Sequence, residues 1–172
     1  MKSTNFPVQV LTRIAVLVAF AVVLKVGLSL TISTYRFTFY DIPLMIIGIM
    51  FGPLAGVISG FTADWINIMV PNLATGFNLF TVSSMMWGFI PGILLYKKDF
   101  STLHLSLVVI LVSIVTFGLN TYQLYLWMGT GMYGSLPARV ITLLIKLPVQ
   151  IFIIKVLYDR VIIHDLKLLE NK

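Results

Sequence analysis

The chain has 172 residues, of which 59% are hydrophobic and 10% are charged, and its formal net charge is +6. An ordinary soluble domain carries about 25% charged residues, so this composition excludes a water-soluble enzyme, a nucleic-acid-binding domain and a disordered tail. The absence of cysteine excludes disulfide bonds, thiolate metal sites and a cysteine nucleophile.

Long uncharged stretches predict six transmembrane helices. A membrane-spanning helix needs about 20 apolar residues. The predicted spans run from about Val8 to Thr31, Asp41 to Phe51 (extending as far as Gly56), Leu54 to Val70, Asn78 to Tyr96, Leu105 to Tyr122 and Pro137 to Val161. The short connections leave no room for a separate soluble domain, so residues 1–172 are predicted to form one all-α membrane domain, a single helical bundle.

The distribution of lysine and arginine predicts that both termini lie in the cytoplasm, because short cytoplasmic loops are enriched in these residues. With the N-terminus inside, the cytoplasmic basic residues are Lys2, Arg13, Lys97, Lys98, Lys155, Arg160, Lys167 and Lys172. Only Arg36 and Arg139 then lie in outer loops or at their edges, and an even number of spans returns the C-terminus to the cytoplasm.

Three predicted outer loops are rich in aromatic, polar and glycine residues. They cover about Ser29 to Tyr40, Asn72 to Phe77 and Gln123 to Leu136. Tyrosine and tryptophan commonly form a belt at the membrane interface, which is one interpretation. Loops on a rigid bundle also commonly carry binding, so we expect this set to cover an outward-facing ligand pocket.

The acidic residue of the third predicted span continues a glycine-lined helix face. Gly56, Gly60 and Asp64 are spaced four residues apart, which places them on one face of a helix. A charge at the bilayer centre costs about 2.5–3.5 kcal/mol, so this carboxylate needs a partner. Two interpretations stay open: a salt bridge to Lys25 or Arg139, or an acceptor for the N–H donors of a ligand.

Polar residues also descend one face of the sixth predicted span. Steps of three and four residues join Arg139, Thr142, Lys146 and Gln150. Lys146 lies roughly 10 Å deeper than Arg139 at 1.5 Å per residue, which snorkelling explains poorly. This cationic face suits an anionic solute, and the alternative is a structural pair between Lys146 and Asp64.

The outer half of the bundle is predicted to carry an excess of two positive charges. Its four cations and two acids are Lys25, Arg36, Arg139, Lys146, Asp41 and Asp64. Structural anchoring explains Lys25 at least as well as a ligand does, and a solvated charge is the default interpretation of Arg36. If these charged groups converge, an anionic ligand with an apolar or aromatic body would balance their excess positive charge.

Further candidate site residues lie within or beside the fourth and fifth predicted spans: Phe77, Asn78, Trp87, Asn120 and Tyr122. Hydroxyl and amide groups in membrane helices also bond to their own backbone or to a neighbouring helix, so helix joining is the alternative.

The chain lacks the patterns of catalysis. It has no Gly-x-x-x-x-Gly-Lys-Ser/Thr segment, so it is not predicted to hydrolyse ATP. Neither His104 nor His164 has a partner at ligand spacing, and no nucleophile and base converge, so we predict no metal site, no cofactor and no enzyme. Ala15 and Ala19 on the first span would let another helix pack closely.

Four segments carry a family resemblance that covers nearly the whole chain. They are Phe39-Tyr40-Asp41-Ile42-Pro43-Leu44, then Phe51-Gly52-Pro53-Leu54-Ala55-Gly56, then Phe80-Thr81-Val82-Ser83-Ser84 with Gly88, and Asn120-Thr121 with Leu136-Pro137-Ala138-Arg139-Val140. This order of features resembles the substrate-binding S-components of energy-coupling factor (ECF) vitamin transporters, and most closely their folate family. The last segment is the most specific, whereas the second supports the superfamily only.

The resemblance implies a six-helix subunit that captures folate from outside the cell with its first, third and fifth loops. It also implies a location in a prokaryotic plasma membrane and two kinds of partner, a transmembrane T-component and two cytoplasmic ATPases. In that family a small-residue patch on the first helix contacts the T-component, and it corresponds to Ala15 and Ala19.

Folate fits the predicted inventory of charges and rings. Its glutamate tail carries two carboxylates, and its pterin ring offers a flat face and adjacent N–H donors. Our hypothesis is therefore that Asp64 accepts from the pterin, that Trp87 and Phe77 stack on it, and that the four outer cations share the carboxylates. The alternatives are an S-component for another vitamin, such as pantothenate or a pyrimidine precursor, and a structural assembly subunit.

Overall fold

The computed structural model describes residues 8–27, 30–32, 35–70, 76–98 and 101–158, and almost all of them are helical. The α-helices are α1 (Val8–Val26), α2 (Asp41–Phe51), α3 (Pro53–Met69), α4 (Leu79–Leu95), α5 (Thr102–Met128) and α6 (Leu136–Leu157). Within the first predicted outer loop, strands β1 (Leu30–Ile32) and β2 (Tyr35–Phe37) pair antiparallel, with Thr31 opposite Arg36. The sequence had indicated no strand there.

The prediction of six separate helices and a fifth loop from Gln123 to Leu136 is wrong in one respect. A 3-10 helix, Gly129–Ser135, joins α5 to α6, so helical structure runs unbroken from Thr102 to Leu157. The described residues therefore form five uninterrupted helical stretches rather than six. Gly129 adopts a left-handed φ of 56°, which glycine tolerates, and its N–H still bonds to the Tyr125 carbonyl.

Helix lengths separate two groups among the described residues. α1 and the stretch Thr102–Leu157 are long and apolar enough to cross a membrane. α2 has 11 residues and extends about 16 Å at 1.5 Å per residue, which is about half the hydrocarbon core. The placement of the termini and of the pocket relative to the membrane stays a prediction.

Glycines bring α2, α3 and α4 into backbone contact. A Cβ built on Gly88 would lie 2.5 Å from the Gly56 Cα, and one on Gly92 would lie 2.6 Å from the Pro53 Cα. Gly48 of α2 meets the same turn of α4, where a Cβ would collide with the Gly88 carbonyl. Only glycine permits this spacing, so these three helices form a tightly packed slab.

The hydrophobic core is centred on α2, where residues 41–49 are all buried. By contrast, α1 buries only Val18 and Ala21, and α6 buries Arg139, Gln150 and Ile154. Two of the three buried α6 residues are polar, so α6 joins the slab partly through polar side chains.

Candidate functional site

Among the described residues, one buried ion pair joins α1 to α3. The Lys25 ammonium pairs with Asp64 and also donates to the Ser84 hydroxyl at 2.9 Å. The Asp64 carboxylate accepts a second hydrogen bond from the Thr81 hydroxyl. The side chains of Lys25 and Asp64 are 11% and 5% exposed, so the pair is shielded from solvent. Of the two salt bridges considered for Asp64, the structure forms the one to Lys25.

Tyr40 extends this network to the start of α2. Its ring centroid lies 4.4 Å from the Lys25 ammonium nitrogen, and its hydroxyl lies 3.3 Å from the Ser84 hydroxyl. Ser84 in turn donates to the Phe80 carbonyl within α4. Lys25 therefore connects α1 with α3, with α4 and with Tyr40 at the start of α2, which is how the peripheral α1 is held to the slab near its C-terminal end.

The second buried ion pair joins α6 to α2. Lys146 Nζ lies 3.0 Å from Asp41 Oδ2, and the Asp41 carboxylate is fully buried. The pairing of Lys146 with Asp64 that we considered from the sequence is therefore wrong. Helical spacing places a residue on a face, but it leaves the rotation of that helix undetermined, and here α6 turns Lys146 toward the first residue of α2.

The two ion pairs are neighbours. Tyr40 and Asp41 are consecutive, and each contacts a different lysine. The Lys146 ammonium also lies 5.8 Å from the Trp87 ring centroid and 5.9 Å from the Phe39 ring centroid. Both lysines thus sit against aromatic rings, in surroundings where a cation–π contact contributes about 0.5–2 kcal/mol.

The two ion pairs include both predicted acids, Asp41 and Asp64, and two of the four predicted cations, Lys25 and Lys146. The other two cations of the predicted inventory are Arg36 and Arg139. The Arg139 guanidinium is 2% exposed and lies 5.1 Å from the Phe117 ring centroid. The backbone of Arg36 belongs to β2, and its side chain lies outside the described part of the structure.

Asn78 caps the N-terminus of α4. Its side-chain oxygen accepts from the Phe80 N–H at 2.8 Å, and its amide donates to the Gly76 carbonyl at 3.0 Å. Gln123 of α5 completes the cap by accepting from the Leu79 N–H at 3.0 Å. Sequence reasoning placed Gln123 in a loop and did not select it.

The aromatic residues predicted for the site differ in solvent exposure and in their position along the helices. Phe77 is half exposed and stacks on Phe61 of α3, with ring centroids 5.5 Å apart and planes within 1°. Trp87 is 6% exposed and lies in the core beside Lys146. Along α4, Trp87 is about 13 Å from the Asn78 cap. Tyr122 is exposed on α5.

Two buried amide oxygens offer acceptors that the described residues leave without a hydrogen-bond partner. They belong to Asn120 of α5 and Asn67 of α3. Asn67 is 5% exposed and follows Asp64 by three residues, so both lie on the same face of α3. A buried acceptor with no donor costs about 1–3 kcal/mol, which a ligand or a water molecule would recover.

Two further predictions were a small-residue patch on the first helix, Ala15 and Ala19, and the absence of a metal site. Ala15 and Ala19 are both exposed on α1. Within the described ranges, no three histidine, aspartate or glutamate side chains gather as metal ligands would.

Comparisons with known proteins agree on one family. Residues 9–158 match the family model for the substrate-specific component of ECF transporters. The chain is 28% identical over 148 residues to the folate transporter FolT of Clostridium novyi (strain NT), which covers 86% of each sequence. It matches the crystal structure of FolT bound with folic acid with a TM-score of 0.79 and 25% identity, over 87% of this chain and 92% of that one.

The fold also matches the S-component for biotin from an ECF-type ABC transporter, with a TM-score of 0.68 over 93% of this chain and 96% of that one. The two sequences are 19% identical, so this match speaks for the fold alone.

Proposed function

Because the chain belongs to the substrate-specific components of ECF transporters, which are membrane-embedded binding subunits, we propose that it is the folate-binding subunit for vitamin uptake. The observation that carries this proposal is the joint similarity to a folate transporter in sequence and to a folic-acid-bound FolT in structure. The family resemblance inferred from the sequence is confirmed by the family match.

We propose that the anionic end of folate lies near Arg139 and Arg36. Lys25 and Lys146 are each neutralised by an aspartate, so they hold the helices together and contribute little net field to a dianion. Arginine presents a planar fork of N–H donors that matches a carboxylate, which favours it for this role. The buried position of Arg139 strengthens such a contact because water screens it less.

We propose that the pterin end is read by polar atoms on α3, α4 and α5. A carboxylate has about four lone-pair positions, so Asp64 can accept from a pterin N–H while keeping its bonds to Lys25 and Thr81. The unpartnered Asn120 oxygen is a second acceptor. Phe77 and Tyr122 are exposed rings on which the pterin can stack, whereas Trp87 supports Lys146 from within the core.

We propose that transport itself is driven by partner subunits. ATP hydrolysis is assigned to two cytoplasmic ATPases and their coupling to a transmembrane T-component, in the plasma membrane of a prokaryotic cell. Support comes from family membership and from the exposure of Ala15 and Ala19, where another helix can approach α1 closely.

Calorimetric titration of the purified, ligand-free subunit with folate tests the proposal, with biotin, pantothenate and a pyrimidine precursor as competitors. We expect saturable binding of folate that the competitors leave unchanged. Preferential binding of another vitamin would assign the chain to a different substrate. Binding of none of them by a correctly folded sample would favour an assembly role.

A variant pair tests the pterin contact. Asp64→Asn is expected to weaken folate binding by about tenfold or more, because hydrogen bonds to a charged group contribute about 1.5–3 kcal/mol. Thr81→Val removes one bond to the same carboxylate but leaves its charge, so it serves as the matched control. Thermal unfolding without ligand separates a lost contact from a lost fold. Unchanged affinity in a folded Asp64→Asn sample would mean that this carboxylate does not bind the pterin.

A further inference from the structure

An apolar cleft of about 380 Å³ lies between α1, α2 and the end of α6. On α1 its lining begins at Thr12 and Arg13 and ends at Phe20, and on α2 it extends from Ile42 to Phe51. None of the proposed folate-contact residues lines it. The cleft is therefore a second concave surface, separate from the folate site.

The shape of the cleft suits a hydrocarbon chain. Arg13 and Phe20 are about 10 Å apart along α1, and Ile42 and Phe51 are about 13 Å apart along α2. The cleft opens beside Val16 and Phe20, which are 63% and 55% exposed. An exposed apolar face on a membrane-embedded helix meets lipid tails, and a slot of this length accommodates one flexible tail better than a compact ring.

One end of the cleft carries the single charged residue of its lining, Arg13. Leu157, near the end of α6, lines the cleft as well, and Lys155 lies in the last turn of that helix. A guanidinium has five N–H donors, so Arg13 can hold a phosphate in addition to any contact within the protein. This end of the bundle is the one predicted to face the cytoplasm, where anionic headgroups attract basic residues.

We propose that the cleft binds one acyl chain of an anionic phospholipid, whose headgroup phosphate lies at Arg13. An apolar slot with a cation at one end complements such a lipid, whichever vitamin the subunit binds. The lipid would lie beside the exposed residues Ala15 and Ala19, on the next face of α1.

Quenching of an introduced tryptophan by brominated lipid tests the site. Phe20→Trp places the probe in the cleft, and Leu107→Trp on α5 is a matched control because both native residues are 55% exposed. Each variant, and the wild type as its reference, is reconstituted separately in vesicles of fixed phosphatidylglycerol and phosphatidylcholine content. In one set of vesicles the phosphatidylglycerol tails carry bromine, and in the other set the phosphatidylcholine tails do.

We expect quenching at Phe20→Trp to favour phosphatidylglycerol about fivefold relative to Leu107→Trp, as one basic residue near a membrane surface contributes about 1 kcal/mol. Adding Arg13→Gln should abolish this preference. If Phe20→Trp does not fold, Phe51→Trp places the probe at the other end of the cleft.

Equal lipid preference at both probes would overturn the proposal, because it describes ordinary annular lipid. A preference that survives Arg13→Gln would overturn the headgroup assignment. Protection of the cleft probe from both lipids, with an emission shift only when a T-component is added, would assign the cleft to a protein helix instead.

Discussion

Lys146 and Asp41 form an ion pair 3.0 Å long between the middle of α6 and the first residue of α2. Asp41 is fully buried, so removing one partner leaves the other charge buried without compensation. We expect Lys146→Met to lower the free energy of unfolding by about 3–5 kcal/mol, as measured by thermal or denaturant unfolding in detergent without ligand.

The double variant Asp41→Asn, Lys146→Met removes both charges and is expected to recover most of that loss. Lys155→Met, an exposed change on the same helix, is the control and should unfold like the wild type. If Lys146→Met unfolds like the wild type, the pair contributes nothing to stability.

The contact between Gly88 and Gly56 predicts a steep penalty for one added methyl group. Gly88→Ala would place a Cβ 2.5 Å from the Gly56 Cα, so α3 and α4 must separate. We expect a loss of about 1–3 kcal/mol or more, the usual range for overpacking, together with poor yield of folded protein. Gly118→Ala on α5 is the matched control, since a Cβ there meets no atom within 4 Å. Equal yields and melting temperatures for the two variants would contradict the close approach.

Variants of Asn78 distinguish a structural role in the α4 cap from a role in ligand binding. Asn78→Ala should destabilise the subunit by about 1 kcal/mol through loss of the α4 cap. Asn78→Asp keeps the acceptor for the Phe80 N–H but loses the donor to the Gly76 carbonyl, so it should retain most of the stability of the cap. If folate affinity falls in Asn78→Asp while the melting temperature of the ligand-free protein is unchanged, the amide contacts the ligand as well.

Arg139 is expected to distinguish folate from pteroate, which lacks the glutamate tail. Arg139→Gln should weaken folate binding by about ten- to a hundredfold, the usual effect of losing a charge-assisted hydrogen bond, and leave pteroate binding nearly unchanged. Arg139→Lys keeps the charge without the planar fork and should fall between the two. Equal losses for both ligands would place the carboxylates elsewhere.

Charges allowed accurate prediction of helix positions where they bracket an apolar stretch. The predicted span from Asp41 to Phe51 coincides with α2, and those from Leu54 to Val70 and Asn78 to Tyr96 agree with α3 and α4 to within a residue. The alternative extension of the second span to Gly56 does not hold, because the chain turns at Gly52. The prediction that the first span reaches Thr31 is also wrong, because α1 ends at Val26 and Thr31 belongs to β1.

The segment between Gln123 and Leu136 was predicted wrongly because its composition is ambiguous. Glycines and aromatic residues are typical of a surface loop, yet this stretch has no proline before Pro137 and its backbone can close hydrogen bonds locally. The position of Gln123 at the α4 cap depends on that helical extension. No local pattern signals it.

The partners of buried charges were only partly predictable. A salt bridge from Asp64 to Lys25 or Arg139 was one of the two interpretations that the sequence left open, and spacing within a helix offered no means to choose between these partners. The pair between Lys146 and Asp41 depends on the relative rotation of α2 and α6, which tertiary packing sets. Sequence therefore identified the polar residues, whereas the structure determined which of them are neutralised.

The glycine contacts divide the subunit into a rigid group of helices and two helices that are less tightly packed. α2, α3 and α4 touch backbone to backbone, so they behave as one stiff body in which small displacements are strongly resisted. α1 and α6 bury few residues and are tied to that body by Lys25 and Lys146. We therefore expect a conformational change to move α1 and α6 relative to the rigid unit of α2, α3 and α4. The ion pairs of Lys25 and Lys146 would limit the amplitude of this movement.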